Sequence, residues 1–251
     1  MCSSKTLTIP KAVRNLQITA GTADDYRSFA KWHYRDNGSC GPYAAIYALR
    51  QSNDFPGTNA NRLVGVIVYT MPTAGCSARD IATGGFFAGL SRADRLARLN
   101  RCVRRISRVI IEPRYRGCGL AQLLVKNTMP LLNVPFIEAM AAMGNFNPFF
   151  EKAGLSPYPQ PVPQRNKLLL EALSLVGVEQ SMLDDAQAIH QKLAGLTGSD
   201  KAFIDRQLAK FIGSFGKRRL QSDSPQRTAW ILSKLSLPPV YYIWFNPTKK
   251  V

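Results

Sequence analysis

Histidine is rare in this chain, and acidic side chains are few beside basic ones. Its 251 residues hold two histidines, His33 and His190, and 16 acidic residues against 33 lysines and arginines, a formal charge of +17. No ligand spacing for a metal stands out, so metal binding is left open. The basic excess favours a polyanionic partner, nucleic acid first and an anionic membrane second, over a merely solvated surface. No apolar run reaches the ~18 residues of a membrane span, and Met1-Cys2-Ser3-Ser4-Lys5 has no apolar signal core, so the chain reads as intracellular and free of membrane. Five cysteines (Cys2, Cys40, Cys76, Cys102, Cys118) are odd in number, far apart and without a C-x-x-C, which excludes a disulfide framework and a zinc ribbon. With 45% hydrophobic residues the chain can bury one good core with an appended subdomain.

Against these absences stands one dense motif. In Val109-Ile110-Ile111-Glu112-Pro113-Arg114-Tyr115-Arg116-Gly117-Cys118-Gly119-Leu120-Ala121 a β-branched run stops at a proline, turns through two glycines and enters a helix. The run reads as a buried strand, the glycines let backbone approach a ligand, and the helix start offers unpaired N–H groups at a positive dipole end. A pyrophosphate fits such a cradle. The Gly-x4-Gly-Lys-[Ser/Thr] of a Walker loop and the Gly-x-Gly-x-x-Gly of a dinucleotide fold are both absent. What remains is Arg-x-x-Gly-x-Gly (Arg114, Gly117, Gly119) ahead of the amphipathic Leu120, Leu123, Leu124, Asn127. A tight turn with no ligand is the bland alternative.

This motif resembles the acyl-CoA signature of the GNAT acetyltransferase superfamily. The block Asn145-Phe146-Asn147-Pro148-Phe149-Phe150-Glu151-Lys152-Ala153-Gly154-Leu155 resembles the ending of that family's last core helix. The resemblance covers residues 14 to 158 and implies an α+β fold: a mixed, mostly antiparallel twisted sheet flanked by helices. It also implies acetyl-CoA or a related acyl-CoA, held by Val109, Ile110, Ile111, Arg114, Tyr115, Arg116, Gly117, Cys118, Gly119, Leu120 and Asn147. The pantetheine arm would pair as an added strand where residues 134–143 splay from residues 103–111. Asn147 could instead cap the helix before Pro148. One departure matters: many family members carry a tyrosine acid at the position of Phe150, which has no proton to give.

The element order fits that frame. Leu16 to Ile18 suggests a first strand, and Thr22 with Asp25 a capping box for a helix whose face carries Tyr26, Phe29, Ala30 and His33. Tyr43 to Leu49 and Leu63 to Thr70 read as strands. A glycine-containing insertion, Pro72 to Gly89, precedes an arginine-rich helix capped by Ser91 and Asp94. Arg92, Arg95, Arg98, Arg101, Arg104 and Arg105 recur every few residues, and through Asn100 they are expected to line one helical ridge suited to phosphates. Lys217, Arg218 and Arg219 add a second basic cluster. Both are candidates for nucleic-acid binding.

Catalytic candidates are His33, Tyr34 and Glu138. The imidazole of His33, with a neighbouring phenol and guanidinium in Trp32-His33-Tyr34-Arg35, could shuttle protons, or it could simply pack in the core. Tyr34 could replace the acid that Phe150 lacks. Glu138, in an apolar strand, is either an arginine's ion-pair partner or a carboxylate facing the cleft. Ser107 and Arg108 lie near where a thioester would rest, and strand alternation sends only one of them to the site. His190, among polar residues, reads as surface.

Beyond residue 158, Pro157, Pro159, Pro161 and Pro163 suggest an extended linker. Helical patterns follow (168–176, 181–193, 199–215, 224–235), then a strand-like run at 240–245 that can rejoin the core sheet. The domains read as a core, 1–158, and a basic helical extension, 159–251.

More narrowly, Trp32 to Arg35, Glu112 to Leu120, Asn145 to Gly154, the size and the charge resemble the Mom-type DNA adenine modification family of Mu-like bacteriophages. That resemblance implies double-stranded DNA with a flipped adenine as partner, a carbamoylmethyl-type adduct at N6, restriction evasion, and a location in the cytoplasm of the infected host cell. Trp32, Tyr34, Phe86 and Phe87 would then be stacking candidates. Two other readings stay open: an ordinary GNAT N-acetyltransferase acting on protein, RNA or a small amine, and a noncatalytic nucleic-acid-binding relic.

Overall fold

The computed structural model describes residues 15–33, 40–51, 62–216, 223–235 and 238–249. They form two compact units, residues 1–160 with 239–251, and residues 161–238.

In the first unit seven strands make one sheet in the order β1-β2-β3-β4-β5-β7-β6. They are β1 (Leu16–Ala20), β2 (Tyr43–Gln51), β3 (Arg62–Thr70), β4 (Val103–Ile111), β5 (Phe136–Ala141), β6 (Ser156–Tyr158) and β7 (Val240–Phe245). Every neighbouring pair is antiparallel except β4 and β5. This is the mixed, mostly antiparallel arrangement expected, and the final strand does return, pairing along β5 from Phe136↔Phe245 to Ala141↔Val240. Pro157 is not linker. It lies in the edge strand β6 opposite Tyr242, a place where a missing ladder donor is tolerated.

Helices cover both faces. Strand alternation in β3 sends Val66 and Val68 to α1 (Ala23–Ala30), and Ile67 and Tyr69 to the face carrying α4 (Leu120–Thr128) and α5 (Phe149–Lys152). All four side chains are fully buried, each worth roughly 1.5–3 kcal/mol for its apolar part. Near the start of β4, α2 (Ser77–Ala82) and α3 (Arg92–Cys102) enclose Phe87, Leu99, Val103, Phe136 and Tyr241.

The α1 capping box forms as the spacing predicts: Asp25 N–H donates to Thr22 Oγ1 at 3.2 Å, and Thr22 N–H donates to Asp25 Oδ2 at 2.8 Å. The helix ends earlier than expected. Trp32 and His33 N–H groups bond three residues back, to Phe29 and Ala30 carbonyls, a tightened last turn that carries His33 past the helix face.

The second unit holds four helices among the described residues, α6 (Gln164–Leu175), α7 (Ala186–Ala194), α8 (Gly198–Gly213) and α9 (Pro225–Leu235). Leu169, Leu173, Ile189, Ile204, Leu208, Phe211 and Ile231 share its core. His190 is half-buried rather than a plain surface residue: its Nδ1 lies 3.3 Å from Thr228 Oγ1 and 3.7 Å from Asp223. No helix of the described residues is long and apolar enough to cross a membrane.

Candidate functional site

The parallel ladder between β4 and β5 runs only from Val103↔Phe136 to Ile106↔Ala139. Beyond it, Arg108 to Ile111 pair with β3 alone, and their other edge opens on a cleft of about 580 Å³. Val109, Ile110 and Ile111 line it, as do Tyr115, Arg116, Gly117, Gly119 and Leu120. Met140 to Met143, Asn147, Phe149 and Phe150 line it from the β5 side, and Trp32 and His33 complete it.

The turn into α4 has the chemistry of an anion cradle. Gly117 (φ +81°) and Gly119 (φ +75°) are left-handed, and a Cβ on either would point into open space. Gly119 caps α4 without any side-chain hydrogen bond, and the first intrahelical bond is Leu123 N–H to Gly119 C=O. The N–H groups of Leu120, Ala121 and Gln122 therefore have no intrahelical acceptor and sit at the positive end of the helix. Arg116 braces the turn, Nε donating to Ile111 C=O at 3.2 Å and Nη2 to Trp32 C=O at 3.0 Å.

Two predicted cofactor residues do not line the cleft. Arg114 turns back onto Glu112, its Nε 2.6 Å from Oε1, and buried Glu112 also holds Arg62 at 2.9 Å. Cys118 points its thiol at the Arg116 carbonyl, 3.9 Å away. Asn147 is not a cap: Pro148 holds the cap position of α5 with no side-chain bond, and the exposed Asn147 side chain makes no hydrogen bond among the described residues.

Where the ladder ends, the pairing of β3 and β4 jumps from Val68↔Arg108 to Tyr69↔Ile106, leaving Ser107 as the extra residue of a bulge. The bulge breaks strict alternation, so both Ser107 and Arg108 line the cleft, where alternation predicted one. Ser107 Oγ lies 2.6 Å from Thr70 Oγ1. Arg108 Nη1 donates to Ser107 C=O at 2.8 Å, while its buried Nε has no hydrogen-bond partner among the described residues. Beneath it, burial and then Cys40 push the Tyr26 phenol up, with Arg108 pulling the other way. Tyr26 thus stays protonated at neutral pH.

Phe150 is buried, its ring 4.1 Å from Phe149 and 5.3 Å from Tyr242. The Tyr242 hydroxyl donates to Glu151 Oε1 at 3.2 Å, and burial together with that carboxylate pushes it up to about 12. It does not line the cleft.

Glu138 resolves as an ion pair rather than a cleft carboxylate. Arg79 Nε and Nη2 donate to its two oxygens at 2.7 and 2.8 Å, and Tyr241 Oη donates at 3.0 Å, with both charged side chains fully buried. It does not line the cleft. Arg79 itself was illegible in the sequence, although an acid in an apolar strand announces a buried cation without saying which.

The single arginine ridge does not form. Each three-residue step covers about 300° of helix, so Arg92 and Arg98 already end about 120° apart. Arg95 Nη2 clamps Asp80 at 2.7 and 2.9 Å, and Arg98 lies 5.2 Å over the Phe86 ring. Arg104 Nη1 donates to Asn100 and Val103 carbonyls, and Arg105 Nη1 to Thr73 Oγ1. Only Arg92 and Arg101 of the set are exposed without a side-chain partner among the described residues. Phe87 is fully buried and Phe86 packs against Phe87, Phe136 and Arg98, so neither is placed to stack on a base. Tyr34, Lys217, Arg218 and Arg219 lie outside the described residues. Among the described residues no group of three His, Cys, Asp or Glu side chains could hold a metal ion.

No protein-family model matches the chain, and no curated protein matches it. A solved structure of a spermidine N-acetyltransferase chimera from Vibrio cholerae and hSSAT is similar over 60% of this chain and 86% of that one, at 13% identity and a TM-score of 0.38.

Proposed function

We propose that this chain is a GNAT-type transferase that uses an acyl-CoA to modify DNA at the N6 position of adenine, as the likeness to Mom-type proteins implies. The observation that carries the acyl-CoA half is the opening of β4 from β5 at Ile106 and Ala139 beside the bare start of α4. Such an opening leaves a strand edge for the amides of the pantetheine arm, and the Gly117–Gly119 turn leaves amides for the pyrophosphate. The residues present fit the group. Bound there, it would supply an activated acyl group.

The chain's own residues do the remaining work. Gly117, Gly119 and the first α4 amides hold phosphate, the free β4 edge orients the arm, and buried Phe150 with half-buried Phe149 keeps water from one wall. Phe150 cannot give a proton, so that role passes to His33, which lines the cleft, or to Tyr34 beside it in sequence. The DNA half is supported by the +17 charge and by the two exposed arginines, Arg92 and Arg101.

Expression in bacteria followed by mass spectrometry of plasmid nucleosides tests the reading, with Gly117→Trp beside the wild type. A modified deoxyadenosine in wild type and none in Gly117→Trp is expected. Unmodified deoxyadenosine in wild type overturns the DNA reading, and adducts persisting in Gly117→Trp overturn the cradle.

A further inference from the structure

Arg108 is a cation with no counter-charge. It lines the cleft at the end of the free β4 edge that lies away from the Gly117–Gly119 turn. Nη1 donates to the Ser107 carbonyl at 2.8 Å, and Nε is buried without a hydrogen-bond partner among the described residues. Arg50, Arg62, Arg79, Arg95 and Arg114 each pair with a carboxylate, whereas Arg108 has none among the described residues. A half-buried guanidinium left in this state costs the fold, and an anion arriving in the cleft offsets that cost. We infer that Arg108 stabilises the thiolate of CoA as the sulfur leaves the acyl group, meeting the charge that Phe150 has no proton to neutralise. The inference rests on the acyl-CoA half of the reading above, holds for any acceptor, and names the group that acts on the leaving atom.

Acyl transfer from a thioester breaks the carbon–sulfur bond and leaves its electron pair on sulfur. The acyl carbon bonds to the nucleophilic atom of the acceptor, whose proton passes to solvent or to the imidazole of His33. The sulfur then carries a full negative charge unless a proton or a fixed cation meets it. Phosphates at the turn and an arm along the β4 edge direct the sulfur toward the other end of that edge, where Arg108 stands. Arginine keeps its proton throughout the working pH range, so Arg108 acts by charge and not as an acid. The sulfur can leave before a proton reaches it from His33, Tyr34 or water.

The other polar groups of the lining are engaged elsewhere. Arg116 is spent on the Ile111 and Trp32 carbonyls beside the turn. The Lys152 carbonyl accepts from Gln122 in the first turn of α4, which sets Lys152 at the turn end of the cleft as well. The Tyr115 hydroxyl donates to Gln51 at 3.1 Å, and Ser107 Oγ is engaged with Thr70. Around Arg108 the remaining titratable groups are Tyr26, Tyr43 and Cys40. Burial and then Cys40 push both phenols up while Arg108 pulls against them, so neither phenol is charged at neutral pH to compete with a thiolate.

CoA and desulfo-CoA, which lacks only the sulfur, are the probes on the full chain. Calorimetry gives affinity, and the ultraviolet band of the thiolate, read as the difference between the two complexes, gives ionisation. Wild type is expected to bind both and to hold about tenfold more of its CoA as thiolate at neutral pH than free CoA does. Because the bound thiol ionises more readily, the preference for CoA over desulfo-CoA should grow as pH rises. Arg108→Gln should bind desulfo-CoA within about twofold of wild type, while its bound thiolate falls to within about twofold of free CoA. Arg108→Lys, which keeps the charge and loses the planar fork, should retain part of the excess. Arg108→Met, which keeps the apolar stem, repeats the neutral test if Arg108→Gln melts early. CoA bound to wild type with no excess thiolate overturns the inference and leaves the cleft reading standing. An excess that survives in Arg108→Gln or Arg108→Met overturns the assignment to Arg108. Failure of wild type to bind either probe sinks the acyl-CoA reading and the inference with it, and the DNA half is judged separately by its own nucleoside experiment.

Discussion

The two halves of β4 are built to opposite ends. Val103 to Ile106 all pair with β5, Arg105 and Ile106 pair with β3 as well, and β5 is locked by the buried Arg79–Glu138–Tyr241 group. After the bulge at Ser107, Arg108 to Ile111 are paired on one side only and give their free edge to a cleft. The same strand is thus scaffold for half its length and site for the other half. The boundary is where the backbone donors of β4 lose their β5 partners. A strand edge in this state is a hazard unless something covers it, and here the cleft walls shield it from other chains.

The largest effect should come from the locked half. Arg79→Met removes the cation paired with Glu138 and leaves a carboxylate in the core, a change expected to cost about 3–5 kcal/mol of unfolding free energy in a urea titration. Replacing the pair together, Arg79→Met with Glu138→Leu, should recover most of that loss, because no charge is then left unpaired. A double variant as unstable as the single one would show that the group holds β5 by some other means. Burial and then Glu138 hold the Tyr241 phenol well above its ordinary range, so the pair should stay intact across neutral and moderately alkaline pH.

The open half should respond to ligand rather than to its own packing. Wild type saturated with CoA at about one hundred times Kd gains about 2.7 kcal/mol, and Gly117→Trp should lose that gain while its unliganded melting temperature stays near wild type. The mirror result, a low melting temperature with the ligand gain intact, would make the turn structural.

Much of this division was legible from residue types alone, and what was not has identifiable causes. The strand, proline and glycine pair at Val109 to Gly119 announced themselves because backbone geometry constrains sequence: only glycine sits easily at the φ values of residues 117 and 119. The capping box at Thr22 was legible for the same local reason. Arg79 was not, since its role depends on a contact with Glu138, 59 residues away. The bulge at Ser107 was hidden because register is decided between strands, and one unpaired residue undid the alternation argument. The arginine ridge failed for a simpler reason: a three-residue repeat does not stay on one side of a 3.6-residue helix.

Two helix starts extend the comparison at smaller scale. α1 is fully capped by Thr22 and Asp25, whereas α4 starts bare at Gly119. Thr22→Ala should cost about 1 kcal/mol. Burial acts to raise the Asp25 carboxyl, but the Thr22 N–H and Arg50 outweigh it and its pKa falls below 3.8. A group with a depressed folded pKa stabilises the fold above its unfolded value and loses that contribution as pH falls, so this share should disappear below about pH 4. Adding a side-chain cap at α4, by Gly119→Asn, should do the reverse of helping: the new side chain competes with phosphate for the same amides, and CoA affinity should fall even if the fold is no less stable.

The smallest effect separates engaged arginines from free ones. Arg92→Ala with Arg101→Ala should lower DNA affinity only a few-fold at physiological salt, yet reduce the slope of log K against log salt by about 1.8, since each phosphate contact contributes about 0.9. Arg98→Ala, which removes a guanidinium stacked on Phe86, should lower stability and leave the slope unchanged. A slope that moves with Arg98 but not with Arg92 and Arg101 would mean that α3 meets DNA by its packed side. The exposed pair would then be solvated surface, and the basic character of this helix would be accounted for by the fold.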